Sequence, residues 1–472
     1  MGKILVNRVE NFADWYTSVC IAAKLFSYGS VKGTINFLPN GWKIWELIKE
    51  SLDKKINECG GKNVQLPLFI KTSDFIKEKE HIEGFAPETF ICDKVGNEKI
   101  VDPLIIRPTS EVLFSQLFKD QIRSHNDLPM KLNQWCSVYR AEKNTKPFLR
   151  GCEFFWHELH CMFKTPEDAI KFTLEIHELY NEFLKNVCYL PVLSGKKTEG
   201  EKFAGAIDTY TREVWSQDGQ CIQTGTSHYL GTNFSKIYDV KFQNINNTFE
   251  YPSYTSHGIT TRLIGDLIVV HGDDKGLVLP FDLAPIQISI LTLFANKDEK
   301  VLAIAKDIKK SLQDIYRVEI DSSDNSFGYK ITEQELIGTP ICIILGPNDI
   351  KNDSCVLIRR DDSIKNTVNI NEIKNVIKEQ KQIYFKNLYN KALKNLNDSI
   401  VEVDNIDDFK NAINNKKICL CYFGGTIEDE KKIKELTTAS PRCVKENLIN
   451  SDKLCFFTKK QAKQLVYFAR AY

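Results

Sequence analysis

NQWCSVYRAEKNTKPFLRGCEFFWHELHCMF, residues 133–163, reads as two strands around a turn. A strand-like run at Trp135 to Tyr139 delivers Arg140, whose planar fork of donors suits a phosphate. Glu142 falls two residues on, on the same strand face. Asn144 to Pro147 supplies the turn. Arg150 and the aromatic run Phe154, Phe155, Trp156 then open a returning strand, where one ring offers its face to a base. Two readings stand on these residues alone. One is a hairpin that presents charge and aromatics to a nucleotide, and the other is an ordinary buried hairpin with a salt bridge.

Bulk properties set bounds without choosing between them. The chain has 472 residues, 42% hydrophobic and 26% charged, which suits a soluble globular protein of about three domains. The opening MGKILVNRVENFADW is interrupted by charge too soon for a signal peptide, and Val6 misses the myristoylation pattern. A cytoplasmic protein with no membrane span is expected. Fourteen scattered cysteines, Cys20, Cys59, Cys188 and Cys342 among them, read as reduced core hydrophobes rather than a disulfide framework. A net charge of +1 gives no global signal for nucleic acid. The stretch 385–472 carries 16 Lys plus Arg against 11 Asp plus Glu, a surplus that fits phosphate contacts or solvated helix faces equally.

Three parts follow from the patterning. Residues 1–285 mix strands and helices and hold every motif able to do chemistry. Within them a helix from Gly41 is expected, because Ile44, Ile48, Leu52 and Ile56 recur at helical spacing before Gly60 and Gly61. Val64 to Ile70 then reads as an extended stretch, with Pro67 marking an edge or interface strand. Residues 286–384 alternate apolar strand-like runs (Ile286–Leu293, Ile315–Ile320, Ile341–Leu345, Val356–Arg359) with helical stretches (Val301–Leu312, Lys330–Leu336), an α/β pattern. Residues 385–472 open on a helix-like stretch from Phe385. HGDDKG at 271–276 reads as a tight turn with Asp273 and Asp274 solvated or capping, in preference to a Mg²⁺ site.

Further stretches extend the reading of residues 133–163: FADWYTSVCIAAKLFSYGSVKG (12–33), EHIEGFAPE (80–88), IRPTSE (106–111), KFAGAIDTYT (202–211), IQTGTSHYLGTNF (222–234), TTRLIGDLIVVHGDDKGLVLP (260–280) and the end VYFARAY. In order and spacing, over nearly the whole chain, they resemble the class II aminoacyl-tRNA synthetases, with 133–163 as motif 2. The closest pattern is that of prolyl-tRNA synthetases of the archaeal and eukaryotic type. The resemblance implies an α+β fold: a class II antiparallel-sheet catalytic domain (1–285), an α/β anticodon-binding domain (286–384) and a small α+β C-terminal domain (385–472). It implies a homodimer built on motif 1, with ATP and Mg²⁺, L-proline and tRNA(Pro) as the molecules handled.

Residue by residue, the resemblance implies that Arg140 holds the α-phosphate and the amino-acid carboxylate. Glu142 accepts from the adenine amino group, Phe154 stacks on adenine, and Arg150 joins the nucleotide site. Arg262, with Thr260 before it, clamps the far side near the γ-phosphate; from the residues alone Arg262 fits a helix-start ion pair equally. Gln223, Thr226 and His228 lie in a polar run whose Gly225 would let backbone approach a ligand, and there the family touches ATP and proline. His228 by itself reads as a packed histidine. Thr109 and Glu111 would grip the proline imino group, with Pro108 stiffening the turn into them, and Trp156, Glu158 and His160 would wall the pocket from one strand face. Cys152 and Cys161 need not be nucleophiles. Arg359, Arg360 and Asp361 would sit near RNA or form a surface ion pair.

The chain departs from the family pattern at several points. His157 replaces a usual glutamine, Leu159 a glycine, and His257 a tryptophan that packs the proline pocket. Where the family commonly holds zinc with four cysteines stand Gly424, Asp429, Cys455 and Thr458. Cys419, Cys421, Cys443 and Cys455 have poor spacing for a replacement set, so no structural zinc is expected. The gap between Glu142 and Ser256 is too short for the large editing insertion of bacterial prolyl enzymes. A noncatalytic RNA-binding relative remains the alternative reading.

Overall fold

The computed structural model describes residues 6–77, 89–448 and 452–472; the EHIEGFAPE motif lies outside them. The hairpin of residues 133–163 forms the middle of the principal sheet. Strand Met130–Tyr139 pairs antiparallel with Glu153–Phe163, which pairs with Ser253–Thr260. Cys221–Gly231, Asp208–Trp215 and Leu193–Lys196 follow in that order, all antiparallel. Because side chains alternate along a strand, the register puts Trp156, Glu158 and His160 beside Thr260, Gly258 and Ser256, and the last two beside Thr226 and His228. The other face, with His157, Leu159 and Cys161, packs on helix Pro166–Asn186 through Phe172, Ile176 and Tyr180.

The helix expected from Gly41 begins two residues earlier and spans Pro39–Glu58, opened by proline in its first turn. Ile44, Ile48, Leu52 and Ile56 are fully buried, each contributing about 1.5–3 kcal/mol by leaving water. Val64 to Ile70 is not a continuous strand. Lys62–Asn63 and Phe69–Lys71 pair as short strands, and main-chain bonds extend them to the Val64 N–H and the Leu68 carbonyl. Between them the Leu66 N–H donates to Gln134 Oε1, and the Arg107 guanidinium donates to the Leu66 and Pro67 carbonyls. Side chains have replaced the ladder around a residue that has no N–H to give it.

Residues 288–369 form a five-stranded sheet whose order is 318–321, 288–292, 341–345, 354–359, 365–369. Helices Glu299–Leu312 and Phe327–Ile337 fall where the alternation places them. Arg359 and Arg360 are buried, which removes them from an RNA-facing surface. Arg359 pairs with Asp361 and Asp362, and Arg360 reaches Asp273 of the HGDDKG turn at 2.5 and 2.8 Å. Asp273 is therefore the half-buried partner of a buried cation as well as the acceptor of its own turn's N–H groups.

The helix expected from Phe385 begins at Ile373 and runs unbroken to Ser399. Beyond it, strands 400–402, 418–423, 464–470 and 439–447 extend the principal sheet to eleven, joined to Leu193–Lys196 by a single bridge between Val444 and Lys196. At the four degenerate zinc positions Gly424 has no donor. Asp429 accepts from Thr426 as a helix cap, and the Thr458 N–H donates to Cys455 Sγ. Cys419, Cys421 and Cys455 lie in an apolar cluster with Phe409, Phe456 and Phe468. That donor set does not fit a tetrahedral thiolate site.

Candidate active site

The sheet face carrying Trp156, Glu158 and His160 floors a cavity of about 300 Å³. Every residue that the sequence put forward for the site lines it: Thr109, Glu111, Arg140, Glu142, Arg150, Phe154, Trp156, Glu158, His160, Gln223, Thr226, His228, Thr260 and Arg262. Strand Met130–Tyr139 ends one residue before Arg140, so Arg140 and Glu142 sit on the loop and not on a shared strand face. The Glu142 N–H closes a tight turn onto the Arg140 carbonyl. The hairpin tip lies at 146–150, where Lys146 and Arg150 exchange main-chain hydrogen bonds, and the returning strand starts at Glu153.

Arg140 is aimed by the Pro108 carbonyl, which accepts from its Nε at 3.1 Å, and by the rings of Phe154 and Trp156, 5.2 and 5.8 Å from its guanidinium carbon. Across the cavity, Arg262 opens helix Arg262–His271. It donates to the Leu149 and Gln223 carbonyls at 2.9 and 3.0 Å, and these bonds, not an ion pair at the helix start, fix its direction. Arg150 donates to the main-chain oxygen of Tyr472 at 3.1 Å with that ring beneath it, so the final residue is docked against the site. Arg140, Arg150 and Arg262, lining one cavity, form a receptor for a polyanion.

The inner end is built around a buried carboxylate. Glu158 Oε2 accepts from Ser110 Oγ at 2.5 Å and Gln134 Nε2 at 2.9 Å, while Oε1 has no hydrogen-bond partner and stands 3.6 Å from His160 Nε2. Burial pushes this carboxyl upward, but the nearby His160 ring and the bonds from Ser110 and Gln134 outweigh it and hold the group below the usual carboxylate range. His160 is oriented by the Tyr254 hydroxyl at 2.6 Å and by stacking on Phe114. Thr109 donates to Glu111 Oε2 at 2.5 Å. His228 meets Thr209 Oγ1 at 3.0 Å, and burial lowers its pKa to about 3, so it is a neutral ring. Behind Arg262, burial raises Asp266 to about 7 although Thr224 donates to it.

Three details differ from the sequence reading. A side chain at Gly225 would point to Tyr180 and Ile259 behind the sheet, so Gly258, on the cavity face, is the glycine that opens the floor. His157 and His257 also lie behind the sheet, His157 bonded to the Tyr180 hydroxyl and His257 edge-on to Phe172. His257 therefore does not wall the cavity with its ring. Glu201, Phe203, Thr209 and Ser256 line the cavity without having been singled out. The signal for two of them was the KFAGAIDTYT stretch, which holds Phe203 and Thr209.

Three sequence families match this chain: the tRNA synthetase class II core domain (G, H, P, S and T) over residues 92–271, the anticodon binding domain over 287–380, and the prolyl-tRNA synthetase C-terminal domain over 406–472. A proline–tRNA ligase of Ureaplasma urealyticum is 47% identical across 99% of this chain and 98% of its own. One of Malacoplasma penetrans is 47% identical across the whole of both. Two crystal structures of prolyl-tRNA synthetase from Cryptosporidium parvum superpose with TM-scores of 0.93 and 0.94 at 33% and 32% identity. Each covers 99% of this chain and 97% of the crystallised one; the first contains halofuginone and AMPPNP, the second L-proline and AMP. The chain belongs to the prolyl-tRNA synthetases, the class II family that ligates proline to tRNA.

Proposed function

We propose that the cavity activates L-proline with ATP, and that the prolyl-adenylate formed there is passed to tRNA(Pro). The observation that carries this reading is the pairing, in one cavity, of an arginine-flanked outer half with an inner half built on the ionised, partly unsatisfied Glu158. The reaction drives the proline carboxylate onto the α-phosphorus and releases pyrophosphate, so two anions must approach and charge must be spread over fixed cations. Arg140 is the cation between the two halves and takes the α-phosphate and carboxylate. Arg262 and Arg150 take the outer phosphates, Phe154 stacks on adenine, and Glu142 accepts from its amino group. Gln223, Thr226 and Thr260 complete the nucleotide wall.

Thr109, Glu111 and Glu158 receive the secondary ammonium of proline, with Trp156, His160 and His228 around the ring. The neutral state of His228 keeps a second positive charge away from that ammonium. Mg²⁺ would be held by the ATP phosphates and would offset their charge; among the described residues no three His, Cys, Asp or Glu side chains converge on a metal of their own. Residues 1–285 act as the catalytic domain, 286–384 read the anticodon, and 385–472 form the C-terminal domain. The working unit is a cytoplasmic homodimer, and among the described residues no helix is long and apolar enough to cross a membrane. The test is pyrophosphate exchange into ATP with proline, alanine, cysteine and threonine in turn: exchange strongest with proline supports the reading, and exchange with none, or with threonine alone, ends it.

A further inference from the structure

Residues 197–207 form the wall of the cavity that carries Glu201 and Phe203. This wall is fastened to His228 through one side chain, because Thr209 Oγ1 accepts the Phe203 N–H at 3.0 Å and meets His228 Nδ1 at the same distance. Its first two residues are fastened elsewhere: Lys197 to Glu213, which Arg442 of the segment 406–472 also grips, and Thr198 to that segment directly. Lys197 Nζ lies 2.6 Å from Glu213 Oε1, and Arg442 Nε lies 2.6 Å from Glu213 Oε2. All three side chains are almost fully buried. The neighbouring Thr198 Oγ1 donates to Glu430 Oε2 at 3.1 Å.

The backbone tells the same story. A side chain at Gly195 would strike the Val444 carbonyl, and one at Gly200 would strike the Glu430 carboxylate. The chain is therefore pressed against the C-terminal segment on both sides of Lys197 and Thr198. Buried charges and close backbone approach make this contact discrete instead of slippery. A cation removed from it leaves a carboxylate without full compensation, and the carboxylate cannot relax into water.

We propose that Glu430 and Arg442 are positioning residues for amino-acid binding: through Thr198 and through Glu213 with Lys197, the C-terminal segment holds the wall that Phe203 and Glu201 present to proline. Neither residue lines the cavity. The C-terminal segment thus has a task in the catalytic half of the chain, holding the wall of the proline pocket. This inference rests on the reading of the cavity's inner half as the proline pocket.

The test is proline-dependent pyrophosphate exchange by the full chain and its variants Thr198→Val, Glu430→Met, Arg442→Met and Arg442→Lys, with proline and ATP varied separately. Thr198→Val and Glu430→Met, each of which removes one end of the Thr198–Glu430 bond, raise KM for proline, by about two- to thirtyfold for a residue coupled to a site it does not touch, and leave KM for ATP in place. The double variant is no worse than the worse single, since both changes break one bond. Arg442→Met has the same signature and Arg442→Lys largely restores the wild-type value. If Arg442→Met does not fold, the Thr198 and Glu430 variants decide alone. Proline KM unchanged beside a lowered melting temperature overturns the proposal in favour of plain packing, as does an equal rise in both KM values. A wild-type chain without proline-dependent exchange overturns the underlying reading, and this one with it.

Discussion

Glu158→Gln separates the charge of the inner carboxylate from its shape. In the native site Oε2 is already engaged by Ser110 and Gln134, so the oxygen available to a ligand is Oε1, buried and without a hydrogen-bond partner. A glutamine in the same rotamer keeps its carbonyl on Ser110 and Gln134 and turns its NH₂ toward the cavity. There it faces the ammonium of proline, donor against donor. The loss is one hydrogen bond to a charged group, about 1.5–3 kcal/mol, which corresponds to roughly 10- to 150-fold in KM for proline. The nucleotide half makes no use of Glu158, so KM for ATP holds. Initial rates of pyrophosphate exchange with each substrate varied in turn are the assay, with thermal unfolding as the control for folding. A proline KM within about twofold of wild type, in a folded variant, refutes this account of Glu158.

Other consequences can be checked separately. Arg360→Met removes two charge-assisted hydrogen bonds from the half-buried Asp273 and costs about 1.5–3 kcal/mol of unfolding free energy by urea titration, whereas a surface pair would cost almost nothing. Asp266 is held near 7 in the folded chain, so between about pH 4 and 7 the unfolded state gives up that proton first and stability falls as pH rises. Asp266→Asn abolishes this contribution, and its stability advantage over wild type grows by on the order of 1.4 kcal/mol per pH unit between pH 5.5 and 7; an advantage that shrinks with rising pH contradicts the burial argument. Purified protein is expected to leave Ala-tRNA(Pro) intact, since no editing-sized insertion separates Glu142 from Ser256; release of alanine above the buffer rate would reverse that.

Legibility in the sequence followed the range of the physics. The period-two run Trp156, Glu158, His160 and the helical run Ile44 to Ile56 are local patterns, and both elements stand where those patterns put them. Arg140 was found by its neighbours, but its place beyond the strand end was not, because the turn onto Glu142 is set by the loop's own hydrogen bonds. Nothing near Arg360 in sequence announces Asp273, 87 residues away. The alternation that put Glu158 in the cavity also places His257 behind the sheet, yet register with Leu159 and Ser227 was needed to tell which side was which. The bridge from Lys196 to Val444 and the wall carrying Glu201 depend on pairing across more than two hundred residues. The helix through Phe385 shows the opposite limit. It continues upstream to Ile373, across the boundary that the alternating pattern sets at 384/385.

On the proposed reading, one cavity joins proline to AMP with Arg140 between the reacting groups. Its most direct test is rapid-quench measurement of prolyl-adenylate formation in a single turnover, comparing wild type with Arg140→Ala at saturating ATP and proline. The expected result is adenylate formed by wild type and slowed by about 10²- to 10³-fold in the variant, as for loss of one preorganised charge at a reacting centre, with the melting temperature little changed. Equal rates of adenylate formation in the two proteins would contradict the account.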